Sequence, residues 1–155
     1  MDTALAPTSR KSSSKPVIFA VSGDEDMADF YRAALEHCVK PEPEVHCFLR
    51  AEVALRAIES ASRQPDLLIS HYLLHSKKDS SMTGLELIKR CKEAAPKLKT
   101  VLVSGLDLKE IKQLLEVSDT QPDAFLHVPF DPEHLASVVE PLFHGDARSA
   151  GQITQ

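Results

Sequence analysis

A chain of 155 residues, 43% hydrophobic and 26% charged, is long enough to bury a core and has the balance of an ordinary soluble domain. Its net charge of −5 is unevenly placed: residues 106–144 carry Asp107, Glu110, Glu116, Asp119, Asp123, Asp131, Glu133 and Glu140 against only Lys109 and Lys112. Such a surface repels phosphate backbones and anionic lipids, and apolar runs of about five residues cannot span a bilayer, which argues against nucleic-acid and membrane roles.

Residues 1–14 (MDTALAPTSRKSSS) are rich in Ser, Thr, Pro and Ala and lack the apolar stretch of a secretory signal. With 145–155 (GDARSAGQITQ) they are expected to be flexible tails on a domain over 15–144. VIFAV (17–21) is a continuous apolar run of the length of a buried strand. Met27, Phe30, Tyr31, Ala34 and Leu35 then recur at helical spacing. VHCF (45–48) reads as a second strand, and Val53, Ala54, Ala57 and Ile58 mark the next helix. LLIS (67–70) is a third strand; Leu85, Ile88 and Cys91 lie on a helix that ends before Pro96. TVLVS (100–104) is the fourth strand, with Leu108, Ile111, Leu114 and Leu115 on the helix after it. AFLHV (124–128) is the fifth. Asp131-Pro132 starts a last helix with an N-cap and a proline at the first helical position; Pro141 is expected to bend or end it. No internal repeat is apparent. Cys38, Cys47 and Cys91 lack metal-ligand spacing and read as reduced, buried small side chains of a cytoplasmic protein.

Five strands alternating with five helices predict parallel pairing with right-handed crossovers, hence a doubly wound sheet with helices on both faces. Function in such sheets gathers at the carboxyl ends of the strands. Here these ends are Ser22–Asp26, Ser70–His75, Ser104–Gly105 and Val128–Pro129. Ser22 to Glu25, Thr83 to Glu86 and Asp107 to Glu110 each match a capping box, so helix initiation accounts for these polar residues without catalysis.

The segments KPVIFAVSGDEDMADFYRAALE, AEVALRAIES, PDLLISHYLL, MTGLELIKR, KTVLVSGLD and DAFLHVPFDPEHL, in that order and spacing, resemble the response-regulator receiver domain of two-component signalling. The resemblance covers roughly residues 15–143 and implies a flavodoxin-like, five-stranded parallel sheet in the order 2-1-3-4-5. It also implies where phosphorylation chemistry would sit, and there the sequence departs. The phosphoacceptor aspartate position is His71. The Mg²⁺-binding acidic pair falls at Ser22-Gly23, with Asp24 one residue beyond. The lysine position is Val128. The hydroxyl position, Ser104, and the aromatic switch position, Phe125, are kept. Phosphoryl transfer to a carboxylate needs a metal and a cation to neutralise developing charge. Without them Mg²⁺ binding is expected to be lost or weak, and no other cofactor is implied.

His71 is read as a neutral side chain filling the former acidic pocket, bonded to Ser104 or to a loop backbone group. Three alternatives stay open. His71 or Asp79 could be an atypical phosphorelay acceptor. The altered pocket could sense a small ligand. His71 and His75, with Asp24 or Asp79, could hold a metal, although the chain has no dense ligand motif. The loop at 75–82, with Lys77 and Lys78, is either a recognition element or a solvated insertion. The leading expectation is a non-enzymatic, stand-alone pseudo-receiver that docks to a signalling protein with a basic surface. Glu110, Glu116, Glu133 and Phe125 would form its docking face, and a homodimer is compatible with the sequence.

Overall fold

The computed structural model describes residues 15–61, 64–74, 82–143 and 152–153. Val17–Val21 is buried at every position, as a strand covered on both faces must be, and forms β1. The other apolar runs become β2 (Glu44–Phe48), β3 (Leu67–His71), β4 (Lys99–Ser104) and β5 (Ala124–His127). Between them lie α1 (Glu25–Cys38), α2 (Ala51–Ser60), α3 (Gly84–Ala94), α4 (Leu108–Glu116) and α5 (Pro132–Phe143). These five strands are parallel in the order 2-1-3-4-5.

One further strand had no sequence signal. Gln152–Ile153, placed above in the flexible tail, forms β6 and pairs in parallel with Ala124 and Phe125 of β5. An exposed sheet edge offers unpaired N–H and C=O groups to any extended segment, so pairing here needs no apolar pattern in the tail. The rest of 145–155, and residues 1–14, lie outside the described residues.

Alternation along the strands divides the core in two. Val17, Phe19, Val21, Leu68, Leu102 and Phe125 pack under α2, α3 and α4. Ile18, Ala20, Ile69, Val101, Val103 and Leu126 pack under α1 and α5. The sheet is therefore wound on both faces.

Three of the four expected helix starts form. Asp107 and Glu110 make both halves of a capping box, and Thr83 accepts from the Glu86 N–H at 3.1 Å. Asp131 caps α5, accepting from the His134 N–H at 2.8 Å. Ser22 does not cap α1. Its own N–H still donates to Phe48 O (3.1 Å), so the chain is strand-like at that point. The helix starts later, with Asp24 as N-cap accepting from the Asp26 N–H. Pro141 does not end α5, which runs on to Phe143; near the last turn few helical hydrogen bonds remain to be lost.

A short repeat, absent from the reading above, sets the register of the sheet. Gln64-Pro65-Asp66 precedes β3 and Gln121-Pro122-Asp123 precedes β5. In each, the glutamine amide donates to a carbonyl at the end of the preceding helix, Ile58 O (2.9 Å) or Leu115 O (2.8 Å). The aspartate then accepts an N–H at the start of the neighbouring strand, that of Val17 or Thr100, at 2.8 Å in both cases. One tripeptide thus closes a helix end and aligns two strands.

Candidate functional site

The carboxyl ends of β1, β3 and β4 hold Ser22, Ser70 and Ser104, three of the four buried polar side chains among the described residues. Each is satisfied within its own turn. Ser22 Oγ donates to Asp24 O (3.1 Å) and Ser70 Oγ to His71 O (3.0 Å), while Ser104 Oγ accepts from the Leu106 N–H (2.9 Å). Ser104 is thus engaged in its own turn, and the expectation that it pairs with His71 is not met.

His71 closes β3, half-buried, and its partner comes from α1. The helical face that buries Ala34 and Leu35 also buries Tyr31 completely. The Tyr31 hydroxyl lies 2.9 Å from His71 Nε2, with the two rings edge-on at 88°. Leaving a buried hydroxyl unsatisfied costs about 1–3 kcal/mol, so this bond is what permits a tyrosine at a core position. Phe130, just past β5, adds a third ring 6.2 Å from Tyr31 and 5.6 Å from Phe30. Tyr31 and His71, with Phe30 and Phe130 beside them, form an aromatic cluster at this end of the sheet.

Burial lowers the His71 pKa below its ordinary value, with Asp24 partly opposing the shift. Burial, and secondarily Cys47, raises that of Tyr31. Both side chains are therefore neutral near neutral pH. Among the described residues His71 is the only partner of the Tyr31 hydroxyl; where that hydroxyl donates to Nε2, the neutral imidazole carries its proton on Nδ1.

Among the described residues, the remaining predicted positions do not assemble a metal or phosphate site. Gly23 and Asp24 are exposed, and the Asp24 carboxylate is engaged as the cap of α1. Val128 packs with the α1–α5 side of the core. Mg²⁺ takes oxygen ligands in near-octahedral geometry and is usually held through one or two carboxylates. A serine hydroxyl in its own turn, a glycine, a capping aspartate and an imidazole do not fit it. Among the described residues no three His, Cys, Asp or Glu side chains converge as a metal site. His75, Lys77, Lys78 and Asp79 lie outside the described residues.

Phe125 is 1% exposed, turned inward under α4. Glu110, Glu116 and Glu133 are exposed, and Glu110 Oε1 also accepts from the Asp107 N–H (3.2 Å) as half of its capping box. The other acids of the region are more engaged: Asp119 pairs with Lys89 (3.2 Å), Asp123 with Lys92 (3.5 Å), and Glu140 accepts from the Lys40 N–H (2.9 Å).

Gly84 matters to the site although the sequence reading did not single it out. Its N–H donates to Tyr72 O at 2.7 Å. A Cβ there would overlap the His71 carbonyl oxygen and lie 2.7 Å from the carbonyl carbon and 2.9 Å from Ser70 Oγ. Only glycine lets α3 start this close to the end of β3. A glycine at the first position of a helix, directly after its N-cap threonine, was the available signal. A hollow of about 940 Å³ lies at the opposite end of the sheet among Pro16, Pro65, Pro96, Leu98, Leu142 and Phe143. It is away from all of these residues.

No protein-family model matches the sequence, and no curated protein matches it significantly. Solved structures do. A CheY-like response-regulator receiver domain protein from Methanospirillum hungatei is 23% identical, with a TM-score of 0.66 over 87% of this chain and 99% of that one. The signal receiver domain of an HD domain-containing protein from Pseudomonas fluorescens is 24% identical, with a TM-score of 0.68 over 87% and 99%. The BeF3-activated DrrB receiver domain is 20% identical, with a TM-score of 0.67 over 84% and 99%. Sheet order, helix placement and these likenesses agree: the chain has the fold of a response-regulator receiver domain.

Proposed function

We propose that this chain is a phosphorylation-independent, non-enzymatic receiver module that works in two-component-type, phosphorelay signalling by docking to a protein partner. The observation that carries the reading is the Tyr31–His71 pair. Where a receiver needs an accessible carboxylate, this chain has a neutral imidazole bonded to a buried phenol. No cation stands at Val128 to hold a phosphoryl group, and no acidic pair at Ser22-Gly23 to hold Mg²⁺. Signal output then depends on the surface presented, and the acidic α4–β5–α5 face suits a partner with a basic surface. No helix among the described residues is long and apolar enough to cross a membrane, in keeping with a cytoplasmic role for the module.

The test is intact mass after incubation with Mg²⁺ and a small phosphodonor. The mass should not change, and His71→Asp alone should not change that outcome, since neither the acidic pair nor the lysine returns with it. Stoichiometric, Mg²⁺-dependent phosphorylation of the native chain would overturn the reading. It would favour an atypical acceptor at His71 or Asp79 instead.

A further inference from the structure

Between the first turns of α4 and α5, above the carboxyl end of β5, lies a cleft of about 470 Å³ lined by Asp107, Phe125, His127, Phe130, Asp131 and His134 among others. We propose that it is the anchor pocket for an arginine side chain of the docking partner. This inference rests on the docking reading above and narrows it to one contact.

Three observations fit a guanidinium. First, the cleft holds two carboxylates, and among the described residues no Lys or Arg lines it. Second, each carboxylate caps its helix through Oδ1 only: Asp107 accepts from Glu110 N–H at 2.9 Å and Asp131 from His134 N–H at 2.8 Å. Among the described residues the second oxygen of each has no hydrogen-bond or ion-pair partner, so it can accept from a cation without undoing the cap. Third, aromatic side chains line the cleft together with the carboxylates, Phe130 half-buried and His127 with its centroid 6.5 Å from that of Phe125. A planar guanidinium packs against aromatic rings and presents a fork of donors to carboxylates, while its methylene stem covers apolar wall. A lysine ammonium, a compact and strongly hydrated charge, uses the carboxylates but not the rings. A metal is a poorer occupant, since these histidines and aspartates do not converge as a ligand cluster.

The experiment is an amide-resolved NMR titration of the full chain with N-acetyl-Gly-Arg-Gly-amide and with the same peptide carrying citrulline, which keeps the shape and removes the charge. The arginine peptide should cause saturable shifts centred on Leu108, His127 and His134; the citrulline peptide should not. Asp107→Asn and Asp131→Asn isolate the charge, because asparagine caps a helix as well as aspartate does. Each should weaken arginine binding about two- to fivefold, the scale of an exposed ion pair, with thermal stability unchanged. Equal binding of citrulline, shifts spread away from the cleft, or indifference to the double Asn variant would overturn the proposal. Reversing Glu116 and Glu133 to Lys tests the broader docking reading. A partner lost on that reversal, together with no arginine binding in the cleft, would keep the face and remove the pocket.

Discussion

Gly84→Ala measures how tightly the end of β3 is held. The added methyl meets main chain, the His71 carbonyl, so no rotamer change relieves it and α3 must move away. Overpacking of this kind costs about 1–3 kcal/mol. Retreat of the helix also lengthens the 2.7 Å bond from the Gly84 N–H to Tyr72 O, a loss of about 0.5–1.5 kcal/mol. Against this, alanine is favoured over glycine by at most about 1 kcal/mol in a helix, and less in its first turn. The net expectation is a destabilisation of about 1–4 kcal/mol, a sizeable part of a typical domain's stability. Urea denaturation of the variant and the native chain reads it directly, and Gly105→Ala serves as control. At Gly105 a Cβ would approach only one side-chain methyl, Val128 Cγ2, at 3.2 Å. A Gly84→Ala chain as stable as the native one would show that α3 is free to shift and that the close approach does not hold the site.

In a double-mutant cycle, Tyr31→Phe and His71→Ala should each destabilise the fold by about 1–3 kcal/mol, and together by about 1 kcal/mol less than their sum. Strict additivity would mean that the hydrogen bond contributes nothing. The His71 pKa lies lower in the folded chain than its unfolded value of about 6.5, so the unfolded state takes up the proton first. Its contribution should therefore be complete above about pH 6.5 and be lost as pH falls toward the depressed folded value. The stability gap between the native chain and His71→Leu, followed by denaturant melts, should narrow on acidification; a constant or widening gap would contradict the burial argument. Asp123→Ala removes the acceptor for the Thr100 N–H and hydroxyl and the Lys92 partner, and should cost about 1–3 kcal/mol by thermal melt. Reversing Glu116 and Glu133 to Lys, with Glu110→Gln so that its capping box survives, should slow association with a basic partner at low salt; an unchanged on-rate would exclude this face.

Strands β1 to β5 were readable because each is a short, largely apolar run, which β6 is not, and Asp107, Thr83 and Asp131 announced their helices by local chemistry alone. Ser22 misled for a physical reason. Ser22 and Asp24, two residues apart, are both chemically able to cap a helix, and only the sheet bond from Ser22 to Phe48 shows that the chain is still extended at the first of them. His71 was identified as the position that decides the chemistry, but its partner was not. Tyr31 lies 40 residues away and reads in sequence as one more member of an apolar helical face. That it meets β3 depends on which side of the sheet α1 crosses. The repeated Gln-Pro-Asp was visible as letters, yet its role follows from where the preceding helix ends and which strand lies alongside, neither of which is local.

The end of β3 is fixed without help from the side chain of residue 71. The Tyr72 N–H donates to Val103 O, the Gly84 N–H to Tyr72 O, and the Ser70 hydroxyl to the His71 carbonyl. A position defined by main chain can exchange its reactive group while the scaffold around it stays in place. Changes at residue 71 then alter the contact with Tyr31 and the chemistry while the main chain stays in place, whereas those at residue 84 displace the main chain itself. In a fold arranged this way reactivity and shape drift on separate clocks, and a lineage can abandon a covalent switch while keeping the surface that others recognise.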